Sequence, residues 1–85
     1  MPDNNWTVYI IESTDGRFYT GITTDLDRRF GEHAGDSKKG ARFFRTSGPS
    51  KIVYRETELC RSSASKREAA IKKLSRADKL KLIGR

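Results

Sequence analysis

Apolar side chains cluster in two short stretches near the start of the chain. Residues 6–13 and 17–23 are rich in β-branched and aromatic side chains, which favour strands. Between them, Asp15-Gly16 is a dipeptide that favours a tight turn. The pattern therefore predicts a β-hairpin.

The spacing of apolar residues then changes to that of a helix, with Leu26, Phe30 and Ala34 on one stripe. Thr24 or Asp25 can accept the first free N–H groups, and Gly35 suits a helix C-terminus. Residues 36–51 are polar, basic and glycine-containing, which predicts a loop.

The rest of the chain predicts a third strand and two more helices. Residues 51–59 are strand-like, and residues 62–65 offer N-cap candidates for a helix that runs to about residue 74. A final helix is predicted from Ser75 to Gly84, with Asp78 as a weak capping partner. We expect an α+β fold, in which a small, mostly antiparallel three-stranded sheet is flanked by helices.

Charge is distributed unevenly along the 85 residues. The net charge is +7, and the excess lies wholly in residues 61–85, since residues 1–60 hold nine basic and nine acidic residues. Such a basic segment indicates contact with a polyanion, or else a solvated helix face. A single cysteine, Cys60, and the lack of a signal-like or membrane-spanning stretch predict a cytoplasmic protein with no membrane partner.

Two cationic side chains fall on the apolar stripe of the first predicted helix. Arg29 and His33 share a face with Leu26 and Phe30, and they lie one turn apart. An inward arginine is either a side chain that extends from the edge of the core to solvent or a ligand for an anion. His33, taken alone, is more readily structural, but with Arg29 one turn away it could equally well bind one phosphate.

The predicted hairpin carries Tyr9 and Tyr19 near the middles of its strands, so the two rings could lie close together. Each is readily explained as a core residue. Gly21 is unusual inside a strand and indicates a bulge or a close approach by a ligand.

Glu68 is one of two acidic residues in the basic segment, and it permits two interpretations. With Ser65 it fits a capping box at a helix start. By helical phase it also lies at the margin of the apolar face, where it could bind a metal ion. The residues alone do not decide between these roles.

Taken in order, these residues form a pattern that resembles the GIY-YIG nuclease superfamily. The pattern comprises Thr7-Val8-Tyr9, Tyr19-Thr20-Gly21, Arg29, His33 and Glu68, and the similarity covers nearly the whole chain. Residues 6–83 are accordingly expected to form a single GIY-YIG domain, preceded by a flexible N-terminus at residues 1–5. Thr7, Val8 and Thr20 depart from the motif that gives the superfamily its name, and we cannot place the C-terminal asparagine of some active relatives.

The resemblance implies a metal-dependent endonuclease that hydrolyses DNA phosphodiester bonds, in DNA repair or recombination, with RNA as a second candidate substrate. The implied catalytic residues are Tyr9, Tyr19, Arg29, His33 and Glu68. Glu68 would hold one Mg²⁺ or Mn²⁺, and Arg29 would neutralise charge on the phosphate. One of the two tyrosines, with its pKa lowered by the metal or by Arg29, would act on the attacking water.

Two alternatives need no catalysis. One is a nucleic-acid-binding module with the same fold, and the other is a protein-interaction domain whose basic surface meets an acidic partner. In either nucleic-acid hypothesis, the predicted phosphate contacts are Lys38, Lys39, Arg42, Arg45, Lys51, Lys72, Lys73, Lys79 and Lys81.

Overall fold

The computed structural model of the chain describes residues 5–35 and 48–84, with the backbone alone for residues 33–35. The elements are β1 (Trp6–Ser13), β2 (Phe18–Thr23), α1 (Leu26–Gly35), β3 (Pro49–Glu58), α2 (Arg61–Lys72) and α3 (Arg76–Leu82). The strands form one sheet in the order β2-β1-β3, and both pairings are antiparallel. This arrangement confirms the predicted α+β fold. No helix in the described ranges is long and apolar enough to span a membrane.

The turn between β1 and β2 is held by its own polar side chains. Gly16 has a φ of +86°, a conformation that glycine adopts at little steric cost. The Ser13 hydroxyl donates to the Asp15 carboxylate and accepts from the Arg17 backbone N–H at 3.0 Å. The Arg17 side chain also donates to Asp15 at 2.8 Å. The turn therefore closes at Asp15-Gly16, as the sequence predicts.

The third strand starts earlier than predicted and is irregular. It begins at Pro49, so the predicted loop does not extend to residue 51. Proline is tolerated there because β3 is an edge strand and Pro49 is its first residue. The pairing with β1 shifts between Ile10 and Ile11 and again beyond Glu12, which indicates bulges that bend this edge.

Alternation along β1 sends apolar side chains to both faces of the sheet. Val8 and Ile10 pack with Ala64 and Ile71 of α2, and the end of α3 joins the same cluster. Tyr9 and Ile11 face the other way and pack with Leu26 of α1. Each fully buried aliphatic side chain contributes roughly 1.5–3 kcal/mol, so the central strand supports two small cores at once.

A polar contact fixes the rotation of α2 on β3. Arg67 donates from Nε to both carboxylate oxygens of Glu56 at 3.1 Å, and the Tyr54 hydroxyl also donates to Glu56. Successive helical residues are about 100° apart, so this contact also sets the direction of the adjacent Glu68.

The predicted start of this helix is wrong. The helix begins at Arg61 with Cys60 as N-cap, and the Cys60 side chain makes no capping hydrogen bond. The Ser63 hydroxyl donates back to the Cys60 carbonyl at 3.1 Å, so it is not used as a cap. Ser65 lies inside the helix, and the capping-box interpretation of Glu68 therefore fails.

The start of α3, in contrast, is the one predicted. The Ser75 side chain accepts from the Asp78 backbone N–H at 3.1 Å, and Gly84, at φ +88°, follows the last turn. A serine cap satisfies an N–H group that the helix itself cannot bond.

We expect Ser75→Ala to lower the free energy of unfolding by about 1 kcal/mol, because it removes this cap. Ser65→Ala is the matched control, since Ser65 is exposed within α2 and alanine is the better helix former. Urea denaturation of both variants measures the difference. An equal effect of the two substitutions would show that the Ser75 cap contributes nothing.

Candidate functional site

Tyr9 lies at the centre of the candidate site and is 1% exposed. It pairs directly with Gly21 on β2, and its ring covers that glycine. A Cβ atom added to Gly21 would lie 2.5 Å from the Tyr9 Oη and 2.7 Å from its Cζ. Gly21 therefore provides the space that lets the Tyr9 hydroxyl extend across β2.

Tyr19 lies on the same face of the hairpin. Its ring centroid is 6.2 Å from that of Tyr9, and the two rings are tilted by 42°. Tyr19 is only partly buried, and it packs against the same small core as Tyr9. The structure thus brings together the two tyrosines that the sequence pattern nominates.

Arg29 reaches this pair from α1. Its side chain is 28% exposed, and its Nη1 lies 2.8 Å from the Glu32 Oε1. The guanidinium is also within hydrogen-bonding reach of the Tyr9 hydroxyl. Its hydrogen bond with Glu32, followed by that with Tyr9, raises the pKa of Arg29 above its usual value. The guanidinium is therefore oriented between these two groups.

Glu32 is a residue of this site that the sequence reasoning missed. Its second carboxylate oxygen lies 3.7 Å from Arg28 Nη1, so one carboxylate serves two arginines. The available signal was the spacing, because residues three and four positions apart in a helix face each other. Asp25, as predicted, accepts a backbone N–H at the start of this helix, from Arg28 at 3.2 Å.

Glu68 approaches from α2 on the other side of the sheet. Its side chain is 22% exposed, and its Oε2 lies 3.0 Å from the Lys72 Nζ. Its negative charge helps to raise the pKa of Tyr9, which places the carboxylate within electrostatic range of the Tyr9 hydroxyl. Tyr9 thus meets Gly21 of β2 and Arg29 of α1, with the charge of Glu68 from α2 within electrostatic range.

The electrostatics of Tyr9 differ from the sequence expectation. Burial, Tyr19 and Glu68 together raise the pKa of Tyr9 to about 12, although Arg29 acts in the opposite direction. Arg29 alone therefore does not give Tyr9 the lowered pKa expected of the residue that acts on the water. At neutral pH its hydroxyl is protonated and can donate a hydrogen bond.

The remaining predicted residues do not join this cluster. His33 lies on α1, but its side chain is outside the described residues, as are Lys38, Lys39, Arg42 and Arg45. Lys51 is exposed and lies opposite Glu12, 3.9 Å from its carboxylate, on the face away from Tyr9. Lys73, the C-cap of α2, and Lys81 on α3 are exposed, and Lys79 is partly buried.

The carboxylates near Tyr9 suit only a divalent cation whose remaining ligands are waters and phosphate oxygens. In the described part of the chain, no three His, Cys, Asp or Glu side chains lie close enough to hold an ion by themselves. Magnesium in nucleotide and nucleic-acid enzymes is often held by one or two carboxylates, with waters and phosphate oxygens completing the shell. Glu68, half-buried and within electrostatic range of Tyr9, fits such an open site but not one built from protein ligands alone.

Comparison with known proteins decides the family. The profile of the GIY-YIG catalytic domain matches residues 5–81. The chain belongs to the GIY-YIG family. This is a nuclease family, and the chain is similar to several proteins named UPF0213.

Two relatives show how far the similarity extends. A UPF0213 protein of Desulfotalea psychrophila is 54% identical over 78 residues, which cover 92% of this chain and 70% of the relative. One of Halobacterium salinarum is 48% identical over 73 residues, covering 85% and 91% respectively.

A solved structure agrees with the fold. The solution NMR structure of a UPF0213 protein from Bacillus halodurans matches with a TM-score of 0.58 and 42% identity. The match covers 93% of this chain and 82% of that one. The names of these relatives specify no substrate, so the chemistry of this GIY-YIG protein has to be argued from its own site.

The packing of Tyr9 on Gly21 predicts the effect of Gly21→Ala. The added methyl group would force the Tyr9 ring to move, and overpacking of this kind lowers the free energy of unfolding by roughly 1–3 kcal/mol. Chemical denaturation measures this loss. Gly31→Ala is the matched control, because Gly31 lies within α1 and no atom of the described residues is within 4 Å of its added Cβ.

The control should leave stability unchanged or raise it by up to about 1 kcal/mol, since alanine favours a helix. If Gly21→Ala were as stable as the natural protein, with unperturbed tyrosine fluorescence, the contact between Tyr9 and Gly21 would be wrong.

The raised pKa of Tyr9 predicts a loss of stability at alkaline pH. An unfolded tyrosine ionises near pH 10, whereas folded Tyr9 holds its proton to about 12. The unfolded state therefore loses a proton first, so this contribution is complete below pH 10 and disappears as the pH rises toward 12. The total effect is up to about 3 kcal/mol.

Denaturation at a series of pH values, compared with Tyr9→Phe, isolates this contribution. In Tyr9→Phe, the free energy of unfolding should fall less steeply as the pH rises above 10. The fall should not disappear, because burial also raises the pKa of Tyr54. A Tyr9→Phe curve parallel to the natural one would contradict the raised pKa.

Proposed function

We propose that this protein is a metal-dependent endonuclease that hydrolyses phosphodiester bonds in DNA, or alternatively in RNA, and that its role lies in DNA repair or recombination. The single observation that supports this proposal best is the contact of Arg29 with the Tyr9 hydroxyl, with Glu68 in electrostatic range of the same group. A hydroxyl donor, a guanidinium and a carboxylate are the groups that bind a phosphate and its counterion.

Arg29 is the proposed phosphate ligand. Its planar guanidinium can donate two parallel hydrogen bonds to phosphate oxygens and can stabilise the charge that grows there during attack. Glu32 holds one side of the guanidinium at 2.8 Å, which limits the orientations that Arg29 can adopt. His33 is proposed as an additional ligand one turn further along α1.

The two tyrosines are proposed to divide the remaining work. Because the pKa of Tyr9 is raised to about 12, its protonated hydroxyl suits hydrogen-bond donation to a phosphate oxygen better than proton abstraction. Tyr19, partly exposed and 6.2 Å away between ring centroids, is left as the candidate that orients the attacking water. Sequence alone did not distinguish these roles.

Glu68 is the proposed ligand for one Mg²⁺ or Mn²⁺. A bound ion of this kind stabilises negative charge on a departing oxygen. Lys72 lies 3.0 Å from the same carboxylate, so its ammonium group must move away when Glu68 binds a cation. The side chain of Lys72 is long and largely exposed, which permits this movement.

The pair formed by Glu68 and Lys72 also favours the second candidate function, a binding module without turnover. In that case Lys72 neutralises Glu68 permanently, and the exposed Lys73 and Lys81 bind nucleic-acid backbone. The surplus charge of residues 61–85 suits both functions. Cleavage assays separate them.

Glu68→Gln should reduce metal-dependent cleavage by a factor on the order of 10²–10³, because an amide is a poor ligand for Mg²⁺. Folding should be nearly unaffected, since glutamine is a good helix former of similar size. Asp78→Asn is the charge-matched control, and it retains the Ser75 cap because that bond uses the Asp78 backbone N–H. Gel assays on branched, nicked, duplex and single-stranded DNA, and on RNA, with Mg²⁺ or Mn²⁺ give the rates.

Three results would decide the matter. Loss of cleavage in Glu68→Gln but not in Asp78→Asn supports the endonuclease. If a folded Glu68→Gln protein cleaves at the same rate as the natural protein, Glu68 is not the metal ligand. Binding of these nucleic acids by the natural protein, with no cleavage of any of them, would establish the binding module instead.

A further inference from the structure

Tyr9 has a second direct neighbour across the sheet. It pairs with Gly21 on β2 and with Arg55 on β3, and the β1–β3 register is unbroken from Trp6 to Ile10. Residues paired directly in antiparallel strands point to the same side. The Arg55 side chain therefore projects from the face that carries the candidate site.

The residues on either side of Arg55 support this orientation. Tyr54 packs with the cluster formed around Val8 and Ile10, on the other face. Glu56 meets Arg67 of α2 there. The alternation of side chains along β3 then leaves Arg55 on the face of Tyr9.

Arg55 differs from the other arginines in residues 5–35 and 48–84. It is exposed, and within those ranges its guanidinium has no ion pair, side-chain hydrogen bond or ring contact. The remaining arginines each have a partner: Arg17 with Asp15, Arg28 and Arg29 with Glu32, Arg61 with Trp6, Arg67 with Glu56, and Arg76 with Phe18.

The spacing of the strands places this charge on the same face as the proposed cleavage site, across β1 from Gly21. Neighbouring strands lie about 4.8 Å apart, so Arg55 starts roughly 10 Å from Gly21 on the far side of β1. The Tyr9 hydroxyl extends in the opposite direction, over Gly21. A nucleic-acid strand with one phosphate at Tyr9 and Arg29 has its neighbouring phosphates on either side of that position.

We propose that Arg55 binds a phosphate flanking the one held at Tyr9 and Arg29, so that the bound strand crosses the sheet from β2 toward β3. This inference rests on the proposed function for the identity of the ligand, a nucleic-acid backbone. Arg55 suits this role because its guanidinium has no described partner to displace and can donate two hydrogen bonds to one phosphate.

The proposal is tested by binding and not by cleavage. Fluorescence anisotropy with a labelled DNA oligonucleotide, in EDTA and over a series of salt concentrations, compares the natural protein with Arg55→Gln. The substitution should weaken binding about tenfold, because it removes charge-assisted hydrogen bonds. It should also reduce the slope of log affinity against log salt by about one.

Lys66→Gln is the matched control, because it also removes one positive charge. Lys66 is exposed on α2, about 200° around the helix from buried Ala64, and so lies on its solvent side. Its substitution should leave affinity nearly unchanged. An effect equal to that of Arg55→Gln would mean diffuse electrostatic attraction and would overturn the proposal.

Other outcomes separate this inference from the proposed function. Natural affinity and slope in Arg55→Gln overturn the inference alone. In that case the charge of Arg55 would serve to prevent the edge strand from pairing with another sheet. Size-exclusion chromatography would then show that the variant associates. If the natural protein binds DNA but never cleaves it, the endonuclease proposal is refuted. A loss of DNA affinity in Arg55→Gln but not in Lys66→Gln would still support the phosphate contact. Failure of the natural protein to bind nucleic acid overturns both.

Discussion

The candidate site depends on the packing of one ring against one glycine. Tyr9 is central to a sheet of only three strands, and its side chain can cross β2 only because Gly21 has no Cβ. The same contact buries the hydroxyl, and burial is the main cause of its raised pKa. A core contact thus sets both the position and the protonation state of the group nearest to the proposed phosphate.

Ion pairs around this ring control how much charge the site presents. Glu32 holds Arg29, and Lys72 holds Glu68, so the two charged groups nearest Tyr9 are already balanced by neighbours one helical turn away. Partly exposed pairs of this kind contribute little to stability. Their larger effect is on orientation, since a phosphate or cation meets groups whose directions are limited before it binds.

Local signals predicted much of this structure, and the failures have physical causes. The hairpin, α1 and the Ser75 cap depend on neighbouring residues, and the sequence located them. The start of α2 was misplaced because the Ser63 hydroxyl bonds back to Cys60, which no N-cap preference indicates. The direction of the Tyr9 pKa shift depends on burial, and the position of Arg55 depends on the register between β3 and β1. Both depend on contacts between distant parts of the chain, so a local sequence pattern does not predict them.

The two faces of the sheet have different roles, and this difference determines how substitutions should be interpreted. On one face, Arg67 and Glu56 fix α2, so changes there move Glu68 indirectly through the helix. On the other face, Tyr9 belongs both to the core and to the site, so its removal disturbs stability and chemistry together. Arg55 shares that second face but is exposed and outside the core. A change at Arg55 therefore reports on ligand contact with little contribution from folding, which a change at Tyr9 cannot do.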